Sequence, residues 1–136
     1  MEILQPPGWV EPRGYSNGIV HEFTAGSRLV FVGGQVGWNA QHKFETDDFA
    51  LQVRQTLENV MAVLHEAGAG PQHITRMTWF VVDKHEYLAA LSEVGRHYRE
   101  VIGRHFPCMT AVEVSDLIED RARVEIEVTA VVPGPP

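Results

Sequence analysis

The stretch from Arg123 to Val132 constrains this chain more than any other. Val124, Ile126, Val128, Ala130 and Val132 alternate strictly with other residues, which is the period of a β-strand with one apolar face. Such a strand needs neighbours to pair with and a layer to cover its apolar row. The opposite face carries Glu125 and Glu127. A carboxylate on a strand that otherwise reads as core requires a partner, a solvent-filled cavity or a catalytic task. Upstream, Met109 to Val114 reads as a companion strand, joined to the last one by a short acidic loop.

The rest of the chain supplies the layer. Residues 1–14 contain Pro6, Pro7, Pro12, Gly8 and Gly14 and read as an irregular lead-in. Gly18 to Phe23 and Arg28 to Val32 read as strands, the second stopping at Gly33-Gly34-Gln35. Thr46-Asp47-Asp48 offers a cap for a helix with Phe49, Val53, Leu57, Val60 and Leu64 at helical spacing. Gly68, Gly70 and Pro71 end it. Ile74 to Val82 is apolar on both faces and reads as a central strand. Glu86 to Ile102 reads as a second helix, and 133–136 as a tail. The order β-β-α-β-α-β-β implies one α+β domain over 1–136, a two-layer sandwich with two helices on one face of a mixed sheet. Its other sheet face mixes large apolar groups with carboxylates and has no third layer to cover it. That face points to burial against other copies of the chain.

Composition narrows the partners. A formal charge of −7 with no Lys/Arg cluster argues against a nucleic-acid surface. A single cysteine, Cys108, excludes an internal disulfide and a cysteine-based zinc site within one chain, in keeping with a reducing cytoplasm. The seven histidines show no H-x-x-x-H or H-E-x-x-H spacing, so no metal is expected. No secretory leader and no apolar run of membrane-spanning length is expected either.

Several pieces, in order and at fitting spacing, together resemble the Rid family of reactive-intermediate deaminases, also called the YjgF family. They are Gly14-Tyr15-Ser16, Gly33-Gly34-Gln35, Gln52 through Val60, Phe80-Val81-Val82-Asp83, Phe106-Pro107, Val112-Glu113-Val114 and Val124-Glu125-Ile126-Glu127. The resemblance implies a chorismate-mutase-like fold whose sheets close a homotrimeric barrel, with small-molecule clefts between subunits. It implies hydrolysis of enamines and imines such as 2-aminoacrylate to 2-oxoacids and ammonia, as in 2-iminobutanoate/2-iminopropanoate deaminases, without metal or organic cofactor.

Carried over residue by residue, the resemblance makes Glu125 the carboxylate that handles water, Tyr15 a cleft-lining group and Gly34 a backbone that approaches the ligand. Each also has a plain structural reading: an ion-pair partner, a packed aromatic, a strand-end turn. The departure is at position 109. Active imine deaminases of the family hold the substrate carboxylate with Arg two residues after Phe-Pro, and here that residue is Met109, flanked by Cys108 and Thr110 as further candidate substrate-binding positions. Met cannot grip an anion. Arg54, Arg76, Arg96 and Arg104 are candidate replacements, with Arg54 reading as a helix-surface residue. Cys108 lacks a motif that would supply a base, and His105 reads as a solvated loop residue. Trp38 reads as packing its own loop or capping the cleft. Two functions remain open: a Rid-like hydrolase with an atypical substrate, or a non-catalytic trimer that binds a small molecule. Ribonuclease activity, a third reading, is opposed by the acidic balance.

Overall fold

Asp48 starts the first helix, α1 (Phe49–Glu66), by accepting the Leu51 N–H on its side chain at 3.0 Å. The computed structural model describes residues 1–136. In it, Val53, Leu57, Val60 and Leu64 form the fully buried stripe of α1. Burying each such side chain contributes about 1.5–3 kcal/mol, and this stripe lies on a four-stranded sheet. Gly68, at φ +68°, turns the chain away from the helix end.

Strands β1 (Glu2–Leu4) and β2 (Gly18–Val20) pair antiparallel as a separate ribbon. The expected irregular lead-in therefore contains a short strand, held by ladder bonds that no local pattern announces. The main sheet comprises β3 (Arg28–Val36), β4 (Ile74–Val81), β5 (Cys108–Glu113) and β6 (Val124–Val132), in the order β3-β6-β4-β5. All neighbours are antiparallel except β4 and β5. β4 is central, as its two-sided apolar pattern requires. Met77, Trp79 and Val81 lie in register with Val128, Ile126 and Val124 and face the helices. Thr78 and Phe80 share the other face with Glu127 and Glu125.

The second helix is not continuous. It divides into α2 (Lys84–Ala89) and α3 (Leu91–Val101), with Ala90 between them at φ −103°, ψ 9°. Ala90 N–H reaches both the Glu86 and Tyr87 carbonyls, a tightening of the last turn that redirects the chain. Helices α1 and α3 are tied by Arg54, which pairs with Glu58 at 3.1 Å on its own helix and with Glu100 across the gap. No helix is long and apolar enough to cross a membrane.

Candidate functional site

Two sequence pieces far apart in the chain meet to place Tyr15. Gly14 turns at φ +78°, a left-handed conformation that glycine adopts without a Cβ penalty. Ser16 then bonds the Phe106-Pro107 segment twice: its N–H donates to Pro107 O at 3.0 Å and its hydroxyl to Phe106 O at 2.5 Å. Phe106 stacks on Tyr98 at 5.6 Å between centroids, and the Tyr98 hydroxyl donates to His105 O. A cavity of about 590 Å³ opens between this edge of the sheet and α2–α3, lined by Tyr15, Met109, Trp79, Tyr87, Leu88 and Leu91 among others. Burial pushes the phenols of Tyr87 and Tyr98 up from the usual tyrosine range, so both stay protonated at neutral pH. The Tyr98 proton is committed to His105 O, whereas the Tyr87 and Tyr15 hydroxyls bond nothing within the chain.

Glu125 and Gly34 form a second group, on the far side of the sheet. Between Val32 and Gln35 the β3–β6 register slips, so that Gly33 and Gly34 together face Glu127 alone. This is a β-bulge, which bends the strand and re-aims side chains beside it. A Cβ on Gly34 would lie 2.0 Å from the Glu125 Oε2 atom. Neither glycine of the pair has positive φ, so Gly34 is required for space and not for backbone conformation. What approaches it is the Glu125 carboxylate of the same chain. Glu125 is half-buried and takes no part in the ion pairs of the chain, so its reading as an ion-pair partner finds no support.

The Gln52–Val60 motif clamps this second group from beneath. Gln52, fully buried, donates to Thr46 O and Arg121 O at 3.0 Å each and accepts the Arg123 N–H at 2.9 Å, two residues before Glu125. Asn59 donates to Val36 O at 2.9 Å and Trp38 O at 2.8 Å, just after the bulge. The motif thus holds both strands that carry Glu125 and Gly34.

The six candidate residues therefore fall into three places in one chain. Tyr15 and Met109 share the cavity, while Glu125 and Gly34 sit together at the opposite edge. Cys108 and Thr110 are not in the cavity. Strand alternation turns them away from Met109, onto the face of Arg76 and Thr78 with which they are in register. His105 is not the solvated loop residue its position suggests: it is half-buried and its Nε2 donates to Ile74 O at 2.7 Å. Trp38 stacks on His42 at 4.0 Å and so packs its own loop. Of the arginines named as replacements for the missing anchor, Arg54 is committed to Glu58 and Glu100, and Arg76 lies on the open face beside Phe31 and Glu127. Neither reaches the cavity. Arg13 and Arg99 do line it. Sequence reasoning missed both, as it missed Leu88 and Leu91, whose helical spacing reads equally well as core. No group of three or more His, Cys, Asp or Glu is placed to hold a metal ion.

Comparisons with known proteins bear on the fold and the family. The family described as Endoribonuclease L-PSP matches residues 11–132. A RutC family protein of Haemophilus influenzae is 36% identical over 103 residues, covering 76% of this chain and 78% of its own length. A 2-iminobutanoate/2-iminopropanoate deaminase of Escherichia coli K12 is 32% identical over 106 residues, covering 76% and 79%. The crystal structure of the Rid-family protein YyfB from Yersinia pestis, of unknown function, superposes with a TM-score of 0.83 at 26% identity, covering 96% of this chain and 98% of that one. The chain belongs to the Rid (YjgF) family.

Proposed function

We propose that the chain hydrolyses reactive enamines or imines to a carbonyl compound and ammonia, in clefts between the copies of a homotrimer. Tyr15 and Met109 come from one protomer, Glu125 and Gly34 from the next. The observation that carries this reading is the Glu125 carboxylate, seated over Gly34 and bonded to nothing in its own chain. In the reaction, protonation of an enamine carbon gives the iminium ion. Water adds to the iminium carbon as one of its protons passes to Glu125, giving a neutral carbinolamine. The carbinolamine takes that proton back on nitrogen, and the C–N bond breaks to release ammonia as the hydroxyl gives up its proton to solvent and the C=O bond forms. A positioned carboxylate contributes about 10²–10⁴-fold to such proton transfers. The deaminase name of the Escherichia coli relative supports this chemistry. Met109 on the apolar wall supports a substrate held differently from a small 2-imino acid. A net charge of −7 supports no ribonuclease role.

The test is ammonia release from 2-aminoacrylate, generated in situ, and from a panel of bulkier imines. The wild type is expected to accelerate release from at least one bulky imine, and Glu125→Gln to lose about 100-fold or more of that rate. Met109→Arg is expected to gain activity on 2-aminoacrylate. No acceleration with any imine, at high protein concentration, would leave the second reading, a non-catalytic trimer that binds a small molecule. The uncharged wall at Met109 is what favours that alternative.

A further inference from the structure

We infer that the cavity beside Tyr15 takes acids with a bulky apolar body, whose carboxylate is held at the cavity mouth by Arg99 and Arg13 and not from strand position 109. The inference rests on the proposed site and names its substrate class. The first support is charge. The chain has 18 acidic and 11 basic Lys/Arg residues, yet of the 14 residues lining the cavity the two charged ones are both arginines. Neither joins an ion pair, whereas Arg54, Arg121 and Arg123 each find a carboxylate. Two exposed, unpaired guanidinium groups at the mouth of an apolar cavity present donors in the planar fork that fits a carboxylate.

The second support is the backbone beneath Arg99. Helical side chains point toward the N-terminus, over the residue four positions earlier, which here is Gly95. The Arg99 Nη1 atom lies 3.2 Å from where a Cβ on Gly95 would be. Glycine inside a helix is destabilising relative to alanine, and here its bare surface is occupied by the guanidinium.

The third support is the rest of the lining. Leu88 and Leu91 are 54% and 48% exposed, and with Met109, Trp79 and Phe106 they give an apolar wall. The volume, about 590 Å³, falls among sites of roughly 300–1,000 Å³ that take drug-sized molecules, more than a three-carbon acid fills. Uncommitted polar groups are few. They are the Tyr15 and Tyr87 hydroxyls, and the Trp79 Nε1, which is buried without an acceptor. Met109 belongs to this design: it faces the apolar body, and the charge is met farther out.

Calorimetric titration of the full chain with three unreactive probes tests the inference: 3-phenylpropanoate, its neutral amide, and propanoate. The aromatic acid is expected to bind at least tenfold more tightly than either of the others. Arg99→Gln and Arg13→Gln, both at exposed positions, are expected to cut the preference for acid over amide at least fivefold, with little change in amide affinity. Equal binding of acid and amide by the wild type, no binding of the aromatic acid, or an unchanged preference in both variants would overturn the inference. Its failure is separable from failure of the hydrolase reading. Ammonia release from imines without any acid preference sinks only the inference, and acid preference in a protein that hydrolyses nothing sinks only the hydrolase.

Discussion

A Cβ on Gly34 would come within 2.0 Å of the Glu125 Oε2 and 2.9 Å of its Cδ, so alanine there forces the carboxylate to move. Glu125 is only half-buried and its side chain can swing aside, so the fold is expected to survive Gly34→Ala while the carboxylate loses its place. Ammonia release should fall tenfold or more, with a melting temperature shifted by a few degrees at most. Nothing lies within 4 Å of a Cβ built on Gly33, and Gly33→Ala should leave the rate within about twofold. A double-mutant cycle separates placement from general damage. In a Glu125→Gln background, Gly34→Ala should cost almost nothing further. A full tenfold loss there would show that Gly34 acts on something other than Glu125.

At the scale of elements, the sequence was most legible where one periodicity dominates. β6 and α1 follow directly from alternation and from helical spacing capped by Asp48. Legibility failed where tertiary contacts decide. Gly33-Gly34 reads as the end of a strand, yet β3 continues to Val36 because the bulge sets two residues against one. Ala90 carries no breaking signal, and the chain bends there to set Leu88 and Leu91 around the cavity. Glu125 could be singled out from its strand pattern, but that it and Tyr15 lie apart in one chain follows from strand order, which no local pattern encodes. The 3₁₀ turn Pro71–His73 after α1 illustrates a further effect that sequence hides. The His73 Nδ1 accepts the Gly70 N–H at 2.9 Å. Burial, then the nearby charges of Arg28, His105 and His21, hold the His73 imidazole below its usual range. The unfolded chain therefore takes up this proton at higher pH than the folded one, near the ordinary value of about 6.5. The stability contributed by neutral His73 is present above that pH and is lost as pH falls through it toward the folded value. Urea unfolding between pH 7.5 and 5 should show this acid limb. His73→Asn, which keeps an acceptor for Gly70 and removes the titration, should flatten it. An identical slope in the variant would assign the limb to other groups.

For the whole molecule, the sheet has helices on one face only, and the other exposes Phe31 at 71%, Leu29 at 47% and Val112 at 41%. Those residues share that face with Glu125 through the strand register. If three copies bury it, as proposed, Phe31→Asp should barely change the stability of an isolated protomer, because the side chain touches little within it. It should, however, shift the sedimenting species from three chains to one and abolish ammonia release. The same assembly makes a sharper demand on Tyr15 and Glu125. Tyr15→Phe and Glu125→Gln variants, each impaired alone, should recover activity when unfolded together and refolded as a mixture. A cleft that draws Tyr15 from one copy and Glu125 from its neighbour is fully wild-type in about one case in four on random mixing within a closed ring. A site formed within one protomer has no such cleft to regain. Recovery toward a quarter of the wild-type rate would place the seam between copies, and a mixture no more active than the average of its two components would refute the shared site.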